Sequence, residues 1–259
     1  MTSPFLARLR NGQPTFMLGI RQARTTDICR IAKSTGHHAI LVDLEHSTMS
    51  LDTAAALCAT AGDLGLTPFV RVPERAYGDL GRLLDGGAHG IVAPRIETAA
   101  EARTIAVACR FPPRGRRSQL ASVPQLGMRP TPATELNPAM DRATIVQILV
   151  ETPTGIANAD AIAAVDGVDM LAIGANDLTA ELGIPGQYDH PLVRDAVASA
   201  AEACRRHGIP LMLGGVSDPT RFAALGACPL HLTGMDTDLL YAAARARVET
   251  ITATYQDTP

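Results

Sequence analysis

The chain's strongest constraint on its fold is an alternation repeated eight times. Short runs of Val, Ile, Leu, Phe and Met occur at 16–20, 39–45, 68–72, 90–96, 145–151, 170–175, 210–214 and 231–234. Each is followed by a longer, Ala-rich stretch with helical spacing, as at 98–110 and 191–207, and a last helical stretch at 238–254 ends the chain. Apolar runs alternating with amphipathic ones specify βαβ units and a parallel sheet. Eight units favour a closed (βα)8 TIM barrel over an open sheet, and 259 residues suit one such domain spanning 1–259. No GxGxxG follows the first run, which removes the usual dinucleotide reading of an open sheet. Aromatic residues are only 3% of the chain, so aliphatic side chains must fill the barrel.

The remaining composition narrows the function. Net charge is −3 and the basic residues do not gather on one stretch, so no nucleic-acid partner is expected. No apolar run is long enough to cross a bilayer, and the first twelve residues lack a signal-peptide core. None of the five cysteines forms a CxxC pair, which suits free thiols in a reducing cytoplasm. Residues 111–140 exceed what a helix needs and read as a lid or an oligomer contact, with a short helix at 137–143 capped by Asn137.

In barrels of this kind the chemistry sits at the C-terminal ends of the strands. There the sequence places Asp43, Glu45 and His46 after the second run, Arg71 after the third and Arg95 after the fourth. Glu151 ends the fifth, Asp177 follows the sixth and Asp236 the eighth. Like charges sharing a site cost several kcal/mol unless something compensates them. A divalent cation does so, and all-oxygen ligation suits Mg²⁺ or Mn²⁺. Glu151 and Asp177 end neighbouring strands after long apolar runs and are the best pair. His46, directly after two acids, is a candidate acid/base. His37 and His38 precede a strand and read as structural.

These blocks resemble a known family. Asp43-Leu44-Glu45-His46 is similar to the D-x-E-H signature of the class II pyruvate aldolases, the HpcH/HpaI aldolase/citrate lyase family. Gly87-Ala88-His89-Gly90 through Pro94 and Thr98, Pro112-Pro113-Arg114-Gly115-Arg116-Arg117, Val150-Glu151-Thr152, and Gly167-Val168-Asp169 through Asp177-Leu178 continue the resemblance in order. It implies a barrel whose last helix is exchanged between subunits of a homo-oligomer, a hexamer built as a trimer of dimers. It implies Glu151 and Asp177 as metal carboxylates, Arg71 at the keto oxygen and His46 with Asp43 as the acid/base pair. Asp85 is implied to reach a neighbouring subunit's site, and the backbone at Ala175, Asn176 and Asp177 to cradle the substrate carboxylate. The chain departs from the family pattern at Leu149, where Gln is common, at Ser118, where Gly is, and at Ala175, where Pro is.

Such a protein would cleave a 4-hydroxy-2-oxo acid to pyruvate, or a related 2-oxo acid such as hydroxypyruvate, and an aldehyde. Aldol cleavage needs an electron sink, either a lysine Schiff base or a metal. Lys33 is the only lysine and lies before the second strand, away from the active face, so neither a Schiff base nor PLP is expected. Mg²⁺, Mn²⁺ or Co²⁺ remains. The alternative within the same family is a CoA-thioester lyase of the malyl-CoA or citryl-CoA type, with Arg114, Arg116 and Arg117 forming the basic patch that CoA needs.

Overall fold

The computed structural model describes residues 3–216 and 223–256. Eight parallel strands form: β1 (Thr15–Ile20), β2 (Ala39–Asp43), β3 (Thr67–Arg71), β4 (Gly90–Ala93), β5 (Ile145–Val150), β6 (Met170–Gly174), β7 (Leu211–Gly214) and β8 (Leu230–Met235). Neighbours in sequence pair in parallel from β1 to β7, and β8 pairs with β1. Beside β7 and β8 the Cys228 N–H donates to the Leu211 carbonyl at 2.7 Å, so the sheet comes round on itself as a nearly closed barrel. Gly19 of β1 leaves room there for the Met235 sulfur of β8, which a Cβ would push aside.

Each predicted strand is present, but five stop short of their predicted ends: β2 at Asp43, β3 at Arg71, β4 at Ala93, β5 at Val150 and β6 at Gly174. Beyond these points local side-chain and backbone bonds replace the ladder. The Asp43 carboxylate, for example, accepts the N–H groups of Glu45 and His46. Helix 191–207 forms as read, and 98–110 becomes Ala99–Cys109 with a Thr98/Glu101 capping box. The predicted short helix is longer than expected, Ala133–Ala143, with Pro138 inside it and Pro132 at its cap. Asn137 is therefore not a cap. Pro138 sits in the second turn, where its missing N–H forfeits one bond to a carbonyl four residues back.

Strand alternation divides the apolar residues into two layers. One set packs between the strands and the surrounding helices. The other, including Met17, Leu41, Phe69, Leu149, Met170 and Met212, points to the barrel axis. Its lower end is closed by a helix the periodicity did not reveal, Pro4–Arg10, which buries Phe5, Leu6 and Leu9. Phe5 packs on Phe69 with ring centroids 5.0 Å apart, and Gly90 leaves room for the Phe69 ring. Burial contributes roughly 1.5–3 kcal/mol for each of the three plug side chains.

Charge also organises this framework. The Asp236 carboxylate accepts the N–H groups of Arg21, Gln22, Ala23 and Thr237, tying the β1 loop to the start of the final helix. Burial opposes its charge, but these amides hold Asp236 below the usual carboxylate range. His37 and His38 are structural, as read: His37 Nε2 meets Thr233 Oγ1 at 2.8 Å, and His38 Nδ1 accepts the Phe16 N–H. All five cysteines are free, and burial pushes the Cys29 thiol up to about 11. The final helix, Asp236–Gln256, leaves Leu240, Tyr241, Val248 and Tyr255 exposed. Among the described residues no helix is long and apolar enough to cross a membrane.

Candidate active site

Along β5 and its end, Gln147, Leu149 and Glu151 occupy alternate positions and line the same axial cavity. Glu151 is 3% exposed, and its Oε1 accepts the Arg95 N–H at 2.8 Å. Arg95 offers that amide from a left-handed backbone, φ 51°, a conformation costing on the order of 1 kcal/mol for a residue with a Cβ. Its guanidinium is held outside the site by Glu181 at 2.8 Å. Gly174 completes the niche, since a Cβ there would overlap Glu151 Oε2.

Glu151 carries an electrostatic deficit. Burial, with the charges of Asp177 and Glu45, raises its carboxyl to about 7, against the Arg95 amide and the Arg71 charge. Asp177, in the first turn of Ala175–Glu181, makes no side-chain hydrogen bond or ion pair among the described residues. Glu45 is likewise raised, mainly by burial, although Arg71 and His46 oppose the shift.

The second acidic centre is compensated. Asp43 is fully buried and takes Arg71 Nε at 3.0 Å on one oxygen and Arg71 Nη2 at 2.7 Å on the other. Arg71 Nη1 reaches Glu45 at 3.3 Å. Burial opposes the Asp43 charge, but the Arg71 hydrogen bonds and charge and the His46 amide hold it below the usual range.

A cavity of about 530 Å³ opens over this arrangement, with Arg71, Glu151, Ala175, Asn176 and Asp177 in its walls. Asp43 lies behind Arg71. His46 stands half-exposed, its Nε2 3.7 Å from Glu45, while Asp43 reaches it through the main-chain N–H. Asp85 is not brought to this cavity. It ends the helix Leu80–Asp85, which descends to the opposite end of the barrel, and it accepts Arg117 Nη2 at 2.8 Å. Lys33 is also at that lower end, with its Nζ near Gly65 ahead of β3.

Three contributors were not read from the sequence: Arg21 at the cavity wall, the Arg95 amide and Gln147. Arg21 immediately follows the first strand, so the strand-end rule that finds Arg71 also finds it. The Arg95 amide has no such signal, because it depends on backbone conformation. Gln147 lies one inward step below Leu149, and its amide meets Met212 Sδ at 3.3 Å.

Among the described residues no three His, Cys, Asp or Glu side chains gather as a metal-binding group. Glu151 and Asp177 instead offer two carboxylates beside open space. That donor set suits a hard cation that keeps water or substrate oxygens, and the charge conflict at Glu151 is one such a cation relieves.

The family model described as HpcH/HpaI aldolase/citrate lyase matches residues 20–243. A 4-hydroxy-4-methyl-2-oxoglutarate aldolase of Hapsidospora irregularis is 43% identical over 201 residues, 77% of this chain and 74% of the relative. A hydroxypyruvate/pyruvate aldolase of Sagittula stellata is 32% identical, covering 94% of this chain and 95% of its own length. The crystal structure of an HpcH/HpaI aldolase from Desulfitobacterium hafniense superposes with a TM-score of 0.89 at 26% identity, covering 100% of this chain and 98% of that one.

Proposed function

The chain belongs to the HpcH/HpaI aldolase/citrate lyase family and is a carbon–carbon lyase, a class II aldolase; from that premise we propose that it reversibly cleaves a 4-hydroxy-2-oxo acid to pyruvate, or a related 2-oxo acid such as hydroxypyruvate, and an aldehyde or ketone. The observation that carries this reading is the Glu151–Asp177 pair, two carboxylates without a cationic side-chain partner at the mouth of a cavity that Arg71 also lines. Glu151 and Asp177 would hold a divalent cation, Mg²⁺, Mn²⁺ or Co²⁺. When bound, that cation supplies Lewis-acid stabilisation of the charge that develops on the keto oxygen.

The chain's own residues divide the remaining work. Arg71, fixed by Asp43, sets a positive charge beside the keto oxygen. The backbone at Ala175, Asn176 and Asp177 meets the substrate carboxylate. His46 takes the proton of the 4-hydroxyl as the C3–C4 bond breaks and its electron pair passes to the C2 carbonyl. Protonation at C3 then yields the 2-oxo acid. Lys33, exposed at the far end of the barrel, leaves the Schiff-base route without a nucleophile.

The final helix supports an assembly of several subunits. Its exposed Leu240, Tyr241, Val248 and Tyr255 form apolar surface that an exchange between subunits of a hexamer would bury. In that assembly Asp85 enters a neighbour's site. The five free thiols favour the cytoplasm.

The CoA-thioester reading is not favoured. Arg114 is paired with Asp166 at 2.9 Å and Arg117 is buried against Asp85. Backbone bonds from Arg116 to Val107 and from Arg117 to Arg110 anchor this segment at the lower end of the helix Ala99–Cys109, away from this chain's own cavity.

The test is pyruvate release from a panel of 4-hydroxy-2-oxo acids by protein stripped with chelator and resupplied with Mg²⁺, Mn²⁺ or Co²⁺. Turnover should appear only with the cation. Undiminished turnover in excess chelator would sink the reading.

A further inference from the structure

The ends of four neighbouring strands, β8, β1, β2 and β3, are joined by one line of hydrogen bonds. It starts at Asp236, the first residue of the final helix, just past β8. The Asp236 carboxylate accepts three consecutive N–H groups from the loop after β1: Arg21 at 3.0 Å, Gln22 at 3.0 Å and Ala23 at 2.7 Å. The carbonyls of the same three residues face Arg24, whose Nη1 donates to them at 3.0, 2.7 and 3.4 Å. The donors and the acceptors of this turn are thus both bound, which leaves its backbone little freedom to shift.

That loop carries Arg21, and Arg21 continues the line. Its Nε donates to Asp43 Oδ2 at 3.3 Å. Asp43 is fully buried at the end of β2 and is surrounded by donors. Oδ2 also takes Arg71 Nη2 at 2.7 Å, while Oδ1 takes Arg71 Nε at 3.0 Å and the N–H groups of Glu45 and His46 at 3.1 and 3.3 Å. One carboxylate therefore sets both the guanidinium at the end of β3 and the main chain that carries His46. Burial leaves it no water to replace a lost donor. If Asp43 tilts, Arg71 and His46 move with it.

Arg71 alone does not prevent that tilt, because its side chain moves with the carboxylate it grips. Arg21 does, because it approaches from a loop anchored elsewhere. It also brings a second positive charge to Asp43, which leaves more of the Arg71 charge for the cavity that both arginines line. We propose that Arg21 and Asp236 are positioning residues for the reaction. Asp236 fixes the loop, the loop fixes Arg21, and Arg21 holds Asp43 so that Arg71 and His46 keep their places at the substrate. This rests on the roles that the aldolase reading gives to Arg71 and His46. Glu151 and Asp177, at the end of β5 and after β6, stand outside the line.

A double-mutant cycle tests it, read as pyruvate release from the 4-hydroxy-2-oxo acid that the wild type cleaves fastest, with Mn²⁺. R21M and D236N should each lose about tenfold to a hundredfold in kcat per folded molecule, the scale of a misplaced catalytic group, while KM and the cation concentration for half-activation change by less than about threefold. The double variant should be within about threefold of the slower single variant, since both substitutions break the same line. R21K should recover part of the loss. D236N combined with G174A, whose new Cβ pushes on Glu151 Oε2, should instead multiply the two losses. Should D236N fail to fold, R24M, which frees the carbonyl side of the same loop, takes its place in the cycle. If R21M and D236N lower the melting temperature but leave kcat per folded molecule unchanged, the contacts serve the fold alone and the proposal is overturned. If their losses multiply, no line joins them and it is overturned as well, with the aldolase reading left standing. Absence of turnover by the wild type with Mg²⁺, Mn²⁺ or Co²⁺ removes the aldolase reading and this one together.

Discussion

At the lower end of the barrel, Arg110 is buried and donates to the carbonyls of Asp141, Thr144 and Gly167 and to the Asp169 carboxylate at 2.5 Å. At the upper end, Glu151 is as deeply buried but has only the Arg95 amide, with Asp177 and Glu45 as like-charged neighbours. The two groups differ in how far the chain itself answers their charge. Below, buried charge is matched from within and serves the fold. Above, it is left for something else to match. A site is therefore distinguishable from a structural knot by the balance of partners and not by burial, since both are almost inaccessible to water.

Substituting each group should separate the two ends. E151Q keeps the shape and removes the charge. We expect kcat to fall by at least about a thousandfold, about 4 kcal/mol in the barrier. Its melting temperature in chelator at pH 7 should be equal to or above the wild type's, because the folded state resists ionising this group. R110M should do the reverse. Leaving Asp169 without its cation costs about 3–5 kcal/mol, a fall of roughly 10 °C in melting temperature, with kcat per folded molecule retained. Loss of stability in E151Q, or a loss of kcat alone in R110M, would break the comparison.

A smaller effect sharpens it. Gly174 has an ordinary φ of −83°, so alanine there is sterically and not conformationally demanding. The new Cβ must push Glu151 Oε2 aside. G174A should lose about tenfold to a hundredfold in kcat and bind the activating cation more weakly, as read by a metal titration of activity.

The smallest effect is in the pH dependence of stability, where the two ends have opposite signs. Burial raises Glu151 from 4.5 to about 7, so the folded metal-free protein binds the extra proton, and stability falls as pH rises through that window. Burial lowers His89, at the lower end ahead of β4, so the unfolded chain binds the extra proton, and stability falls as pH drops below the usual 6.5. Chemical denaturation across pH should show E151Q flattening the first slope, by about 1 kcal/mol or more, and H89Q flattening the second. A slope that survives its own substitution assigns it to another group.

The barrel was legible because short apolar runs and longer stretches of helical period alternate along the whole chain. The plug helix Pro4–Arg10 was not, since seven residues carry too little periodicity to stand out. Strand ends located Glu151, Asp177, Arg71 and Asp43, because chemistry-bearing side chains stop apolar runs. What could not be read was how they divide. Asp43 and Glu151 look alike in sequence, and only packing shows one clasped by Arg71 and the other cradled by a single amide. The Arg95 contribution is a φ angle, invisible in residue type. The place of Asp85, at the end of a descending helix, follows from helix length once the barrel is known.

The cavity above Glu151 continues downward between Leu41, Val92, Leu149, Ala172 and Met212, the same side chains that form the barrel's inner apolar packing. The reaction chamber and the structural core thus share walls. A mutation that enlarges the chamber for a bulkier substrate also removes packing atoms, at about 2–5 kcal/mol for a large-to-alanine change. In such a barrel a new substrate range cannot be reached independently of thermal tolerance, and a lineage must hold stability in reserve before its chemistry can diversify.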